Sequence, residues 1–325
     1  MRFSDIDNLT MLSEFLCVGQ QSLSDFLSND DVSRFCRRMA IPKKNARLGY
    51  RIVYKANSQI LKSLRKVLQK HLNMVYAAPD AVHGFVPERN IRTNALAHLA
   101  KKQMLRLDIE DFFGSVKELD IVRVFEKIGC KTIVASWLAK LTTIDGKLVQ
   151  GFNTSPVLAN MVFEDIDNRL SSFCQRHHCE FTRYADDITI SSNIDLPSVS
   201  EVESVLGNPQ FRINKLKTKT MFRGEKQFVT GLTVFDSKYP RIPRLFKRRA
   251  RLQLYYLKKY GCRSYAMHET GISEYEAAHD DEKAKILAGR QGELETKIKG
   301  WIDFVHSIEP LLANKYYEAY NSIEW

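Results

Sequence analysis

The stretch FTRYADDITIS, residues 181 to 191, constrains this chain more than any other. Apolar and polar residues alternate on both sides of two adjacent aspartates, the pattern of two short strands joined by a polar turn at Asp186 and Asp187. Two neighbouring carboxylates repel each other, and a fold keeps them together only where water, a cation or a positive side chain screens the pair. Asp is also a common turn residue, so a solvated hairpin turn and a cation site are both compatible with this pattern taken alone.

A third carboxylate stands in similar surroundings upstream. The run MLRLDI, 104 to 109, alternates like a strand and delivers Asp108 near its end. Beside the hairpin it would bring Asp108, Asp186 and Asp187 to one sheet edge, a donor set suited to Mg²⁺, with Mn²⁺ as a substitute. Two such ions can activate an attacking hydroxyl and stabilise the leaving oxygen of a phosphoryl transfer.

The segments around these strands read mostly as helices. Residues 1 to 40 have mostly helical spacing up to Cys36, Arg37 and Arg38, and Pro42 should stop a helix. YRIVYK, 50 to 55, alternates like a strand and follows Lys43, Lys44 and Arg47, which suggests a basic hairpin. Ile60, Leu64, Val67, Leu68 and Leu72 predict one apolar face on a helix over 57–76, and Asn94 and His98 share one side of a later helix. Ser115 with Glu118 predicts a capping box for a helix whose apolar face is Val122, Phe125 and Ile128. Ser155 and Pro156 open another helix that runs to about 175 on Leu158, Val162, Ile166, Leu170 and Phe173. The order of helices and strands predicts an α+β fold.

Charge narrows the partners. The chain has 325 residues, 49 Lys plus Arg against 38 Asp plus Glu, and a net charge of +11, which favours a polyanion. From Arg241 to Arg263 there are nine basic residues and no acidic one, interleaved with Leu252, Leu254, Tyr255 and Tyr256. This segment is expected to bind nucleic acid; a solvated helix face is the plainer alternative. Ile298, Ile302 and Val305 form an apolar stripe near the C-terminus, in a helical subdomain. The six cysteines have no zinc-site spacing, the first residues carry acids where an export signal needs a basic then apolar run, and no apolar stretch approaches about 20 residues. A cytoplasmic protein without a membrane span is the expectation.

Five ordered segments resemble the reverse transcriptases: LDIEDFFGS at 107–115, QGFNTSPVLAN at 150–160, RYADDITIS at 183–191, INKLKT at 213–218 and VTGLTV at 229–234. Within that family the chain resembles the bacterial retron class, through NAxxH at Asn94, Ala95 and His98 and VTG at Val229, Thr230 and Gly231. The resemblance implies a right-hand polymerase fold: an N-terminal helical segment (1–40), fingers (41–105), palm with inserted fingers elements (106–240) and a helical thumb (241–325). Asp108, Asp186 and Asp187 would be the catalytic, metal-holding carboxylates. Phe113, Gln150, Gly151, Lys217 and Arg51 would face the incoming nucleotide, Phe113 as a gate against the ribose 2′-OH and Lys217 toward the outgoing pyrophosphate. Lys43, Lys44, Arg47 and Lys55 are further basic residues of the fingers.

Nucleic acid would lie along Asn94, His98, Tyr184, Val229, Thr230, Gly231, Arg244, Lys247, Arg248, Arg249 and Arg251, although His98 reads equally well as a packing residue near His83. The implied partners are a cognate noncoding RNA, its branched RNA–DNA product (msDNA), dNTPs and a separate effector protein in antiphage defence. Asn153 replaces a proline of the family pattern and Phe235 an asparagine, and neither touches an implied metal ligand. An intron-type or diversity-generating reverse transcriptase, or an RNA-binding scaffold that restrains an effector, are the alternative readings.

Overall fold

Residues 104–108 have a buried apolar position on each face and neighbours able to pair on both edges, which is why they form the interior of a sheet. A computed structural model of the chain describes residues 1–28, 32–43 and 49–325. These fall into two compact units, Met1–Lys226 and Gln227–Trp325.

The first unit opens with α1 (Leu9–Phe15) and α2 (Gln20–Ser28), then β1 (Cys36–Pro42) and β2 (Tyr50–Ala56), an antiparallel pair with Cys36 opposite Ala56 and Pro42 opposite Tyr50. Helix α3 (Gln59–Val75) starts at a Ser58 cap and buries Leu61, Leu64, Leu68 and Leu72. Four such leucines contribute about 1.5–3 kcal/mol each by leaving water. After α4 (Ile91–Leu96) come β3 (Gln103–Asp108), α5 (Glu118–Lys127), α6 (Thr132–Thr142), α7 (Ser155–Arg176), β4 (Glu180–Tyr184), β5 (Asp187–Ser192), α8 (Val199–Leu206) and β6 (Lys219–Phe222). The four strands β4-β5-β3-β6 form one antiparallel sheet, with Asp108 opposite Asp187 and Tyr184 opposite Asp187. Its apolar face packs in a single core with α3, α5, α6 and α7.

The second unit contains the short pair β7 (Phe228–Val229) and β8 (Leu232–Thr233), then α9 (Arg244–Thr270), α10 (Glu274–His279), α11 (Asp281–Ile308) and α12 (Pro310–Asn321). The expected stripe of Ile298, Ile302 and Val305 is buried. Together the units make the mixed α+β composition that the sequence predicts.

Four local expectations need correction. The helical reading of residues 1–40 holds at α1 and α2 but fails at 36–42, which is strand. Over seven residues helical and strand periods are hard to separate, and here a partner strand supplies the backbone bonds, with Pro42 at the end where it breaks no ladder. Ser115 does not cap α5: its hydroxyl donates to Glu110 O at 3.3 Å, and the Asp120 carboxylate accepts the Lys117 N–H at 3.0 Å. Glu118 is instead taken by the Thr143 hydroxyl at 2.9 Å. Ser155 likewise donates to Val149 O at 2.7 Å, closing the loop before α7 rather than capping it, while Pro156 sits in the first turn as expected. The tight turn of the hairpin is Ala185–Asp186, and Asp187 already belongs to β5.

Candidate active site

Strand pairing brings the three aspartates together. Ile109 N–H donates to Asp186 O at 2.9 Å, and Asp108 lies directly across the ladder from Asp187. Like charges directly opposite each other destabilise a sheet unless something offsets them. The offset is visible on two sides. Lys217 donates from Nζ to Asp108 Oδ1 at 2.6 Å and Oδ2 at 2.8 Å. Arg106, two residues back on the same strand, donates to Asp187 Oδ1 at 2.8 Å and Oδ2 at 3.0 Å. Among the described residues Asp186 has no cation paired with it in this way, and burial, followed by the charges of Asp108 and Asp187, pushes its carboxyl above the ordinary range against the weaker pull of Lys217.

As the side chains stand, no group of three His, Cys, Asp or Glu among the described residues is gathered into a ready cage for a metal ion. The donor chemistry nevertheless fits a hard divalent cation: three carboxylates on one sheet end, two held by cationic side chains and the third disfavoured as an anion by burial and then by the charge of the other two. Asp108 and Asp186 are the residues that would hold it, with Asp187 beside them.

The neighbouring segments are fixed by backbone contacts. Tyr54 N–H donates to Gln150 O at 2.8 Å, and a bridge pairs Val53 with Gln150, so β2 is tied to the loop before α7. Gly151 has φ +104°, and a Cβ there would stand 2.3 Å from Tyr54 O, so only glycine fits against the strand. Phe112 and Phe113 lie in a turn, with Asp111 at φ +41°, and enter different surroundings. Phe112 is 4% exposed and packs on Phe163 and Phe211, whereas Phe113 is half-buried with its ring 6.1 Å from that of Phe85. Tyr184 is half-buried at the end of β4, and Arg51 and Lys55 are exposed on β2. Lys43 is exposed too, while Lys44 and Arg47 lie outside the described residues.

Several expected nucleic-acid contacts are corrected. Asn94 and His98 are fully enclosed; His98 makes hydrogen bonds from Nδ1 to Ser191 Oγ at 2.6 Å and from Nε2 to Thr182 Oγ1 at 2.8 Å. It staples the turn after α4 to β4 and β5, and burial pushes its pKa down to about 3. Val229 is buried within the second unit, whereas Thr230, half-buried, and Gly231, exposed, form the turn between β7 and β8 and stay accessible. Lys247 is committed to Glu309, Nζ to Oε1 2.7 Å. Arg244, Arg248, Arg249 and Arg251 are exposed on α9 as expected. The sequence reading missed Arg106, whose alternation along β3 could have revealed it, and Arg183, a fully buried arginine just before the hairpin turn.

The family model for reverse transcriptase (RNA-dependent DNA polymerase) matches residues 41–257. The retron Ec73 reverse transcriptase of Escherichia coli is 31% identical over 69% of this chain and 76% of its own length. The retron Mx65 and Mx162 reverse transcriptases of Myxococcus xanthus are 30% and 28% identical over 78% and 94% of this chain. The chain spans 63% and 65% of the length of those two relatives. With carboxylates, cations and glycine placed as described, the chain belongs to the reverse transcriptase family, within its bacterial retron group.

Proposed function

We propose that this chain is an RNA-directed DNA polymerase that copies part of a cognate structured noncoding RNA into a branched RNA–DNA molecule, msDNA, in a cytoplasmic antiphage system with a separate effector. In this reading the right-hand fold comprises fingers at 41–105, palm at 106–240 and a thumb at 241–325. The observation that carries the reading is the meeting of Asp108, Asp186 and Asp187 at one sheet end in a chain of this family.

Two Mg²⁺ ions, or Mn²⁺ in their place, would supply activation of the primer hydroxyl and stabilisation of the leaving pyrophosphate. Asp108 and Asp186 would hold both ions, and Asp187 would stay with Arg106. Lys217, already beside Asp108 and 56% exposed, can turn toward the leaving phosphates without leaving its loop. Gln150 and Gly151 line the nucleotide, and Phe113 presses its ring on the sugar where a ribose would carry its 2′-OH.

The fingers residue Arg51 and the exposed arginines of α9 neutralise phosphates of the triphosphate and of the RNA or product duplex. Among the described residues no helix is long and apolar enough to cross a membrane. The test is purification of the full chain from its own locus, sequencing of the nucleic acid that accompanies it, and DNA synthesis on that RNA with Mg²⁺ and dNTPs. A covalently branched RNA–DNA species is expected. Ordinary cellular RNA with no DNA synthesis overturns the reading.

A further inference from the structure

Behind the catalytic turn lies a polar cluster with no access to solvent. Arg183, on β4, and Asp167, on α7, are both 0% exposed. The guanidinium grips the carboxylate with both arms of its fork, Nε to Oδ1 at 2.7 Å and Nη2 to Oδ2 at 2.6 Å. Its remaining nitrogen, Nη1, donates to Asn160 Oδ1 at 3.1 Å and to Ala185 O at 2.9 Å. Asn160 in turn donates to Gly84 O at 2.9 Å. The guanidinium also lies over the Phe163 ring, 4.7 Å from its centre. Asn160, Phe163 and Asp167 occur at helical spacing, so one face of α7 presents all three to a single arginine.

A buried ion pair is a poor device for stability, because well-packed apolar side chains of similar size serve as well or better. What an apolar pair cannot do is hold the carbonyl of Ala185. That residue has φ +58°, a left-handed conformation unfavourable for alanine, and it directly precedes Asp186. Gly84 closes the turn from the other side, since a Cβ there would lie 2.3 Å from Ala185 N. A strained backbone persists only where its surroundings over-determine it.

We propose that Asp167 and Arg183 are positioning residues: the pair, aligned by Asn160, fixes the Ala185–Asp186 turn against α7 and so sets where the Asp186 carboxylate stands during DNA synthesis. Neither residue touches substrate. The inference rests on the polymerase reading above.

The test uses the full chain with its RNA, dNTPs and Mg²⁺, and compares the wild type with Arg183→Lys and with the double variant Asp167→Leu, Arg183→Met. The double variant replaces the pair with apolar groups, leaves Asn160 Oδ1 and Ala185 O without their donor, and is expected to fold with a thermal midpoint somewhat below that of the wild type. It should lose kcat by roughly 100-fold, the scale of a misplacement of about 1 Å, with KM for dNTP changed by less than about threefold. Arg183→Lys retains a charge for Asp167 but not the fork, and should lose roughly tenfold in kcat at unchanged KM. A folded variant of either kind with wild-type kcat overturns the proposal, and so does a loss confined to KM. If the double variant does not fold, the lysine variant decides by the same split. Failure of the wild type itself to synthesise DNA would overturn the polymerase reading, and this inference with it.

Discussion

Two sets of basic side chains, one in each unit, are put to opposite uses. In the first, Arg183, Arg106 and Lys217 each bind a particular aspartate, and Arg183 does so with no exposure at all. In the second, Arg241 and Lys247 meet Glu309 and Arg263 meets Glu274, but Arg244, Arg248, Arg249, Arg251, Lys258 and Lys259 are exposed on α9 with no acidic partner among the described residues. The difference is one of task. A reacting centre needs its charges placed and desolvated in advance, whereas a surface that follows a polyanion needs charges that remain accessible and exchange small counterions.

The sharpest way to break that contrast is to remove a charge from each unit and compare. Asp186→Asn should lower the rate of DNA synthesis by on the order of 10²–10³-fold while RNA affinity, spread over many phosphates, stays near wild type. Primer extension and filter binding on the same preparations check it, and near-normal synthesis in Mg²⁺ would end the assignment. Reversing Arg248 and Arg249 to Glu should do the converse, leaving the chemical step intact on saturating RNA. The dependence of log K on log salt should flatten by roughly 1.4–1.8, from about 0.7–0.9 for each phosphate no longer neutralised. An unchanged slope would mean that this face of α9 is only solvated.

A smaller effect separates the adjacent phenylalanines. Phe113→Ala should raise ribonucleotide over deoxyribonucleotide incorporation by roughly tenfold, because removing the ring removes a clash of about 1–3 kcal/mol. Phe112→Ala, which empties a buried site among Phe163 and Phe211, should leave that ratio alone and lower stability by about 3–5 kcal/mol. Incorporation of matched rNTP and dNTP on one template distinguishes the two.

The smallest effect concerns acid. Burial pushes His98 down to about 3 and His83 down to about 4, so both remain neutral in the folded chain where an unfolded histidine takes up a proton. The unfolded state then binds more protons, and stability falls as pH is lowered from about 6.5 toward those values, by about 1.4 kcal/mol per pH unit for His98 and by less for the partly exposed His83, whose charge water screens. In His98→Gln the slope of unfolding free energy between about pH 4.5 and 6 should be shallower by one proton, a difference readable by urea titration at several pH values. An identical slope would show that His98 is not held neutral.

What could be read from the sequence follows a physical line. Alternation around Asp108 and the paired aspartates was legible because side-chain direction in a strand is a local property, and the face of α7 was legible for the same reason at helical period; on α3 Leu64, Leu68 and Leu72 are buried as expected, but Ile60 is exposed and Leu61 takes its place in the core. Lys247 was misassigned because its partner, Glu309, lies far along the chain, and nothing local distinguishes a basic residue in an ion pair from one facing water. The Arg183–Asp167 pair escaped notice because charged residues are expected at the surface, and only tertiary packing shows both without solvent. Asn94 and His98 were placed on nucleic acid by resemblance, while burial assigns them to the interior. Ser115 and Ser155 matched local cap patterns, yet loop closure claimed both hydroxyls.

The bond from Tyr54 N–H to Gln150 O has a consequence for how this chain tolerates changes in length. The β1–β2 hairpin is anchored at its base to the loop that opens α7, so extra residues at its tip leave that anchor in register. A single residue deleted within Tyr50–Val53 shifts the strand by one step, and every side chain beyond the deletion changes face. The hairpin therefore behaves like a ruler with its zero mark at Gln150: the place of Arg51 along β2 is counted from one backbone hydrogen bond at Tyr54.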